Sequence, residues 1–149
     1  MLVNGINHLA MVTGDLDRLL EFYRRLFDAE VTLELTEDGL RHAFVQIGPN
    51  VILHPFELPD SLPDQPQPMF NRGLLDHFGL TASSENDFYE IRRRALEAGA
   101  TDGVVRDFGP LVQFNFHDPD GGDYEVWLFK PDADLAEVLP RREWQLVHL

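Results

Sequence analysis

The chain has 149 residues, 44% of them hydrophobic and 26% charged, which predicts a globular protein with a substantial core. Its net charge of −14 argues against nucleic acid or an anionic membrane surface as a partner. Without cysteine it has no disulfide, zinc–thiolate site or thiol nucleophile. It also lacks a signal peptide and an apolar run of the ~20 residues that span a membrane, so we expect a cytoplasmic protein.

Residues 5–57 have the pattern of a β-α-β-β-β module. A strand is predicted over Ile6–Val12, followed by an amphipathic helix over Leu16–Phe27 that Asp15 caps. Three further strands are predicted, separated by turns at Glu37-Asp38-Gly39 and Gly48-Pro49-Asn50: Val31–Leu35, Leu40–Ile47 and Val51–Phe56. Residues 58–73 contain four prolines among polar residues, a composition typical of an extended linker.

The same pattern returns over residues 74–130. A strand at Leu75–Thr81 precedes a helix at Asn86–Ala98, with a cap offered by Ser83 and Ser84 and a stop at Gly99. Two more strands follow, at Ala100–Arg106 and Leu111–His117. Residues 131–149 form a C-terminal extension with a possible short helix at Ala133–Val138. Its apolar residues Trp144, Leu146 and Val147 predict that it contributes to, or covers, a sheet edge in a homodimer.

A hairpin from Phe114 to Phe129, with Asp118-Pro119-Asp120-Gly121-Gly122 as its turn, closes the second module. Strand alternation places Glu125 on one face with Trp127 and Phe129. A carboxylate that shares its face of the strand with two aromatic side chains must be solvated, paired or bound to a cation, because an unpaired buried charge is costly. Arg41 and Arg72 are the candidate arginines for pairing with Glu125 in place of a cation.

Overlaying the two modules gives an internal repeat. His8 lies 69 residues before His77, and the apolar stripes of the two helices coincide at that offset. His54 meets Glu125 at an offset of 71, which allows for the longer second turn, but a register one residue different would turn His54 away. We therefore expect an α+β fold in which two tandem βαβββ modules form a curved mixed sheet with helices outside. Two imidazoles and a carboxylate directed into its cup make a 2-His-1-carboxylate metal site.

These features resemble the vicinal oxygen chelate superfamily, which includes glyoxalase I, extradiol dioxygenases, methylmalonyl-CoA epimerase and bleomycin-resistance proteins. The matching segments are Ile6-Asn7-His8-Leu9-Ala10, Phe22-Tyr23-Arg24-Arg25-Leu26-Phe27, Leu75-Asp76-His77-Phe78-Gly79-Leu80 and Asp118-Pro119-Asp120-Gly121 leading to Glu125. The resemblance implies that His8, His77 and Glu125 bind a metal. The family's fourth position, a glutamate in glyoxalase I, corresponds here to His54 or Leu53. Glu57 lies three residues beyond His54, too far to take its place.

The resemblance leaves the reaction open. With three ligands the chain is similar to Fe(II) extradiol dioxygenases, with His117 or His42 as a proton-handling residue unless these are solvated surface histidines. Trp127 and Phe129 suit a flat, apolar or aromatic small molecule. Were His54 a fourth ligand, Ni(II), Zn(II) or Mn(II) and isomerase or lyase chemistry would be favoured. A binding protein like the bleomycin-resistance proteins is a further alternative, although these typically lack the metal triad.

Overall fold

The protein, seen in a computed structural model, is described at residues 2, 5–63, 65–68, 70–131, 133 and 145–147. The chain divides into two compact units, residues 1–66 and 67–149, and the division falls inside the predicted linker. Each unit contains one helix and one mixed sheet in β-α-β-β-β order, and the second adds a short strand at its end. The predicted α+β class, with tandem βαβββ modules, is therefore confirmed.

The first unit contains β1 (Leu9–Thr13), α1 (Leu16–Phe27), β2 (Glu30–Glu37), β3 (Leu40–Gly48) and β4 (Val51–Glu57). Its strand order is β1-β4-β3-β2, with β1 parallel to β4 and the other pairs antiparallel. Helix α1 begins after the predicted cap, because the Asp15 carboxylate accepts a 2.9 Å hydrogen bond from the Arg18 backbone N–H. Asp38 and Gly39 both have positive φ, 51° and 84°, as a tight Asp-Gly hairpin requires.

The two faces of this first sheet have different roles. One face packs on α1, whose buried side chains are Leu16, Leu19, Leu20, Tyr23 and Leu26. Ala43, Val45 and Leu53 are buried on the same side. Because side chains alternate along a strand, His42 and His54 lie on the opposite face. The first module therefore has an apolar core on one side of its sheet and histidines on the other.

The second unit contains β5 (Gly79–Thr81), α2 (Glu85–Glu97), β6 (Val105–Asp107), β7 (Leu111–His117), β8 (Asp123–Phe129) and β9 (Gln145–Val147). Its strand order is β5-β8-β7-β6-β9, with β5 parallel to β8. The Ser84 hydroxyl caps α2 by accepting from the Asp87 backbone N–H at 3.1 Å, and Gly99 follows the helix with a φ of 65°. In the core, Phe88 of α2 packs edge-on against Phe114 of β7, with ring centroids 5.2 Å apart.

The hairpin turn between β7 and β8 is closed by its own backbone and by Asp118. The Asp118 N–H donates to the Gly122 carbonyl and the Gly121 N–H donates to the Asp118 carbonyl, both at 3.0 Å. The Asp118 carboxylate also accepts from the backbone N–H groups of Asp120 and Gly122. This turn sets the strand register, in which Asn115 lies opposite Glu125.

Two predicted strands begin later than the sequence indicated. The strands predicted from Ile6 and Leu75 start at Leu9 and Gly79, so each repeat histidine lies just before its strand. Both strands are at a sheet edge with one neighbour, so no second strand holds the residues that precede them.

Two other predictions need correction. The strand predicted over Ala100–Arg106 is reduced to Val105–Asp107, because Gly103 has a φ of 74° and the Thr101 hydroxyl donates to the Asn115 carbonyl. The linker is not extended throughout, since Pro59–Ser61 forms a short 3-10 helix.

In the C-terminal extension, the backbone of β9 pairs antiparallel with β6 at the edge of the second sheet. A contribution of the extension to a sheet edge is therefore observed. The helix predicted over Ala133–Val138 and the side chains of Trp144, Leu146 and Val147 lie outside the described residues. Neither of the two described helices has the length and hydropathy to cross a membrane.

Candidate functional site

The second unit brings two of the predicted ligands together. His77 lies two residues before β5, and Glu125 lies on the adjoining strand β8, where it pairs with Gly79. His77 Nε2 is 4.0 Å from Glu125 Oε1, and the two side chains are 31% and 17% exposed. Both are therefore shielded from bulk water while remaining open to a small ligand.

The other nitrogen of His77 is occupied. His77 Nδ1 lies 2.8 Å from Asp76 Oδ2, and a carboxylate only accepts, so Nδ1 carries the proton. The hydrogen bond from His77 is the largest cause that holds the pKa of Asp76 below its usual value, in keeping with an ionised carboxylate. Asp76 Oδ1 also accepts from the Phe70 backbone N–H. The lone pair of His77 is thereby left on Nε2, the atom nearest Glu125.

Glu125 is paired with a neighbour on its own strand. The Trp127 indole N–H donates to Glu125 Oε2 at 2.6 Å, which leaves Oε1 toward His77. The rival arginines are engaged elsewhere, Arg41 with Asp17 and Glu34 at 2.6 Å and Arg72 with Asp123 at 3.5 Å. A hydrogen bond to a neutral indole satisfies one oxygen without neutralising the carboxylate.

An open cavity of about 340 Å³ lies over this pair. It is lined by His77, Phe78, Gly79, Thr81, Glu125 and Trp127. Gly79 keeps the centre clear, since a Cβ there would lie 3.3 Å from Trp127 Nε1 and 3.7 Å from Glu125 Oε2. The cavity thus offers an imidazole, a carboxylate and two aromatic rings to a small molecule.

The first unit gathers three histidines on the face of its sheet opposite α1. The His8 and His54 rings meet edge-on at 5.5 Å, and His54 Nε2 is 2.9 Å from His42 Nδ1. Phe44 and Phe56 flank His54, with ring centroids 4.1 and 4.2 Å away. Burial is the largest cause that lowers the pKa of His54, followed by the nearby His42 and His8, so His54 is neutral at pH 7.

The strand pairings settle which residue of the first unit corresponds to Glu125. Ala10 pairs with His54, and Gly79 pairs with Glu125, each in a parallel pair. Ala10 and Gly79 both lie two residues after a repeat histidine, so His54 is the positional equivalent of Glu125. Leu53 is fully buried on the α1 face. The predicted offset of 71 is therefore the register that the structure has.

The remaining candidates occupy different environments. His42 is only 8% exposed, so it is not a solvated surface histidine, and its burial comes from the aromatic ring of Phe56 stacked 5.1 Å away. His117 is exposed, with Nδ1 3.8 Å from Asp123 Oδ1. Glu57 points to the helix and accepts from the Leu16 backbone N–H at 2.8 Å. Sequence reasoning placed Trp127 on the face of Glu125 but did not identify Asp76 or Trp127 as hydrogen-bond partners of the predicted ligands.

The donor atoms of the second unit fit a divalent cation. Bonds from such an ion to imidazole nitrogen and carboxylate oxygen are about 2.0 to 2.2 Å, so one ion can span the 4.0 Å between His77 Nε2 and Glu125 Oε1. Among the described residues, however, no group of three or more histidine, aspartate or glutamate side chains is arranged as a metal site. His8 and His54 belong to the first unit, and His77 and Glu125 to the second.

Comparison with known proteins identifies the family. A model of the Glyoxalase/Bleomycin resistance protein/Dioxygenase superfamily matches residues 5–126. No curated protein sequence matches the chain. A glyoxylase/bleomycin resistance protein/dioxygenase domain from Frankia sp. EAN1pec has a similar structure, with a TM-score of 0.72 and 19% identity over 87% of this chain and 95% of that one.

Fosfomycin resistance protein FosX from Listeria monocytogenes is also similar, with a TM-score of 0.66 and 21% identity over 93% of this chain and 100% of that one. A mutant of that FosX, solved with Mn(II) and 1S,2S-dihydroxypropylphosphonic acid, has a TM-score of 0.65 and 16% identity over the same shares of the two chains. At these identities the structures show a common fold, whereas the family match covers most of the sequence. The chain belongs to the Glyoxalase/Bleomycin resistance protein/Dioxygenase superfamily.

Proposed function

We propose that this protein is a divalent-metal enzyme that binds a small substrate through two oxygens on adjacent atoms. His77, Glu125 and His8 are the proposed metal ligands. The observation that carries the proposal is the pair of ligand atoms His77 Nε2 and Glu125 Oε1, facing each other at 4.0 Å beneath an open cavity. The FosX mutant with Mn(II) and a dihydroxypropyl compound supports it by analogy, since that compound carries hydroxyls on adjacent carbons.

A bound divalent cation supplies Lewis-acid chemistry to the oxygens it chelates. The protein residues around it bind and orient the substrate. Phe78 and Trp127 contribute aromatic rings to a cavity whose other lining residues include the polar His77, Thr81 and Glu125, so we propose a small molecule that has both a flat, aromatic part and polar oxygens. His117 remains the proposed proton-handling residue because its side chain is exposed, although it is not among the residues that line the cavity. His42 is buried, and its Nδ1 lies 2.9 Å from His54 Nε2.

Three ligands are favoured over four. By the resemblance, His54 takes the place of the glutamate of glyoxalase I, and its Nε2 would have to give up the 2.9 Å contact with His42 to bind a metal. A three-ligand site supports the Fe(II) extradiol dioxygenase type of reaction. An isomerase or lyase with Ni(II), Zn(II) or Mn(II) is the second candidate, in which His54 would be a fourth metal ligand. A non-catalytic drug-binding protein is the third, and the His77–Glu125 pair argues against it.

Metal analysis of protein purified without oxygen tests this proposal. We expect one divalent cation per chain, iron foremost, and oxygen consumption when catechols are added. The matched control is Glu125→Gln, which keeps the shape and the acceptor for Trp127 but removes the charge. Metal-free protein that binds aromatic compounds equally well with or without added cations would contradict an enzyme and support the binding protein.

We also propose that the protein forms a homodimer to which the C-terminal extension contributes. The pairing of β9 with β6 at a sheet edge supports a role of the extension in assembly. Light scattering on the full chain, and on a chain ending at Lys130, tests it. A monomer in both cases would contradict the proposal.

A further inference from the structure

We infer that Asp76 and Trp127 are positioning residues that fix which atom of His77 and which oxygen of Glu125 is available to a ligand. Each occupies one end of its partner side chain and leaves the other end directed into the cavity. The inference rests on the proposed function for its consequence, metal affinity. The two hydrogen bonds themselves involve only residues of this chain.

Asp76 is itself held at two points. One oxygen accepts from His77 Nδ1 at 2.8 Å, and the other accepts from the Phe70 backbone N–H. Phe70 has a φ of 69°, a conformation that non-glycine residues rarely adopt, and this turn presents its N–H to the carboxylate. The loop before β5 therefore orients the imidazole through Asp76. An imidazole with such a partner keeps its proton on Nδ1, which fixes Nε2 as the ligand atom.

Trp127 acts in the same way on Glu125. Its indole N–H donates to Oε2 at 2.6 Å, and Oε1, which does not take part in this hydrogen bond, lies 4.0 Å from His77 Nε2. The absence of a side chain at Gly79 gives the indole and the carboxylate the space to meet. Glu125 is therefore oriented as a one-oxygen ligand.

The repeat offers a natural comparison. In the first unit, His8 Nδ1 lies 2.9 Å from Asn7 Oδ1, and Asn7 is the residue equivalent to Asp76. Both repeat histidines are thus oriented by the residue that precedes them, one by an amide and one by a carboxylate. Asp76→Asn is therefore the conservative variant, because an asparagine already holds this position in the first unit.

Nitrogen-15 NMR of the metal-free protein measures the orientation directly. We expect the His77 proton on Nδ1 in wild type and in Asp76→Asn, and a shift of the proton toward Nε2 in Asp76→Ala. The His8 ring, held by Asn7, is the internal control and should not change. The chain has two tryptophans, so Trp127→Phe assigns the Trp127 indole signal, and that signal should move in Glu125→Gln.

Calorimetric titration with Mn(II) and Zn(II) measures the consequence. We expect cation affinity to fall about 10- to 100-fold in Asp76→Ala and in Trp127→Phe, with Asp76→Asn closer to wild type. An unchanged His77 tautomer in Asp76→Ala, or affinities of both variants within about threefold of wild type, would overturn the inference. If wild type bound no cation while the NMR results were as expected, the proposed function would fail and the orienting role would stand.

Discussion

His54 and Glu125 hold equivalent positions in the two units, each paired with the residue two places after a repeat histidine. Their chemistry differs. His54 Nε2 is taken up by His42, whereas Glu125 keeps Oε1 directed at His77. The repeat therefore provides two related strand positions, one with an imidazole in contact with a second histidine and one with a carboxylate oxygen that faces a histidine.

This asymmetry predicts that replacing His54 spares the cation. His54→Phe keeps a ring between Phe44 and Phe56 and removes both nitrogens. We expect cation stoichiometry to be unchanged and affinity to stay within about threefold of wild type in calorimetry, because a phenyl ring at this position can keep the edge-on contact with the His8 ring. A loss as large as that of Glu125→Ala would make His54 a fourth ligand and favour the lyase or isomerase alternative.

Leu53 and His54 are neighbours with opposite roles. Leu53 is fully buried in the first core, so Leu53→Ala should lower the free energy of unfolding by about 2 to 5 kcal/mol. His54→Ala should lower the free energy of unfolding by less, because His54 is only half-buried, on the face of the sheet opposite α1. Urea denaturation of the two variants measures the difference. Equal losses would contradict the assignment of the two faces.

The elements that the sequence predicted well have local causes. Helix α1 runs over the predicted residues because its apolar spacing and its Asp15 cap both lie within the segment. The His54–Glu125 equivalence also followed from the sequence, since a repeat preserves strand register. The starts of β1 and β5 could not be predicted in this way, because the length of an edge strand is set by how far its single neighbour pairs with it.

The orienting contacts of the site were beyond the sequence. That Trp127 and Glu125 share a face follows from alternation, but the 2.6 Å hydrogen bond depends on side-chain rotamers and on the space at Gly79. The burial of His42 likewise depends on Phe56 across the strand pair. Such contacts arise from packing between strands, which residue spacing alone does not encode.

Gly79 is predicted to matter for the site more than for stability. A Cβ there would press on Trp127 Nε1 at 3.3 Å, so Gly79→Ala should displace the indole from Glu125 and weaken cation binding about 10-fold. Gly48→Ala is the matched control, since its Cβ would make an ordinary 3.7 Å contact with Val51. Calorimetry measures the cation affinity, and tryptophan fluorescence reports the displacement of the indole. Equal cation affinity in both variants would refute this role.

Asp118 is predicted to make stability depend on pH. Burial raises the pKa of Asp118 from 3.8 to about 6, so the folded protein binds this proton more tightly than the unfolded chain does. The contribution of Asp118 to the free energy of unfolding is complete below the pKa that this carboxyl has in the unfolded chain, and it is lost as pH rises to about 6. The loss amounts to up to about 3 kcal/mol.

Asp118→Asn removes this titration while keeping the oxygen that accepts from the Asp120 and Gly122 backbone. We therefore expect the free energy of unfolding of wild type, relative to this variant, to fall between about pH 4 and pH 7. Urea denaturation across that range measures it. Parallel stability curves for the two proteins would show that Asp118 is ionised as readily in the folded state as in the unfolded one.

The central claim is that His77 and Glu125, with His8, bind one divalent cation. Calorimetric titration of the metal-free protein with Fe(II), Mn(II), Ni(II) and Zn(II) tests it most directly, with His8→Ala, His77→Ala and Glu125→Ala beside wild type. The account predicts one equivalent bound by wild type and none by the three variants. Equal, weak binding by wild type and Glu125→Ala would contradict it.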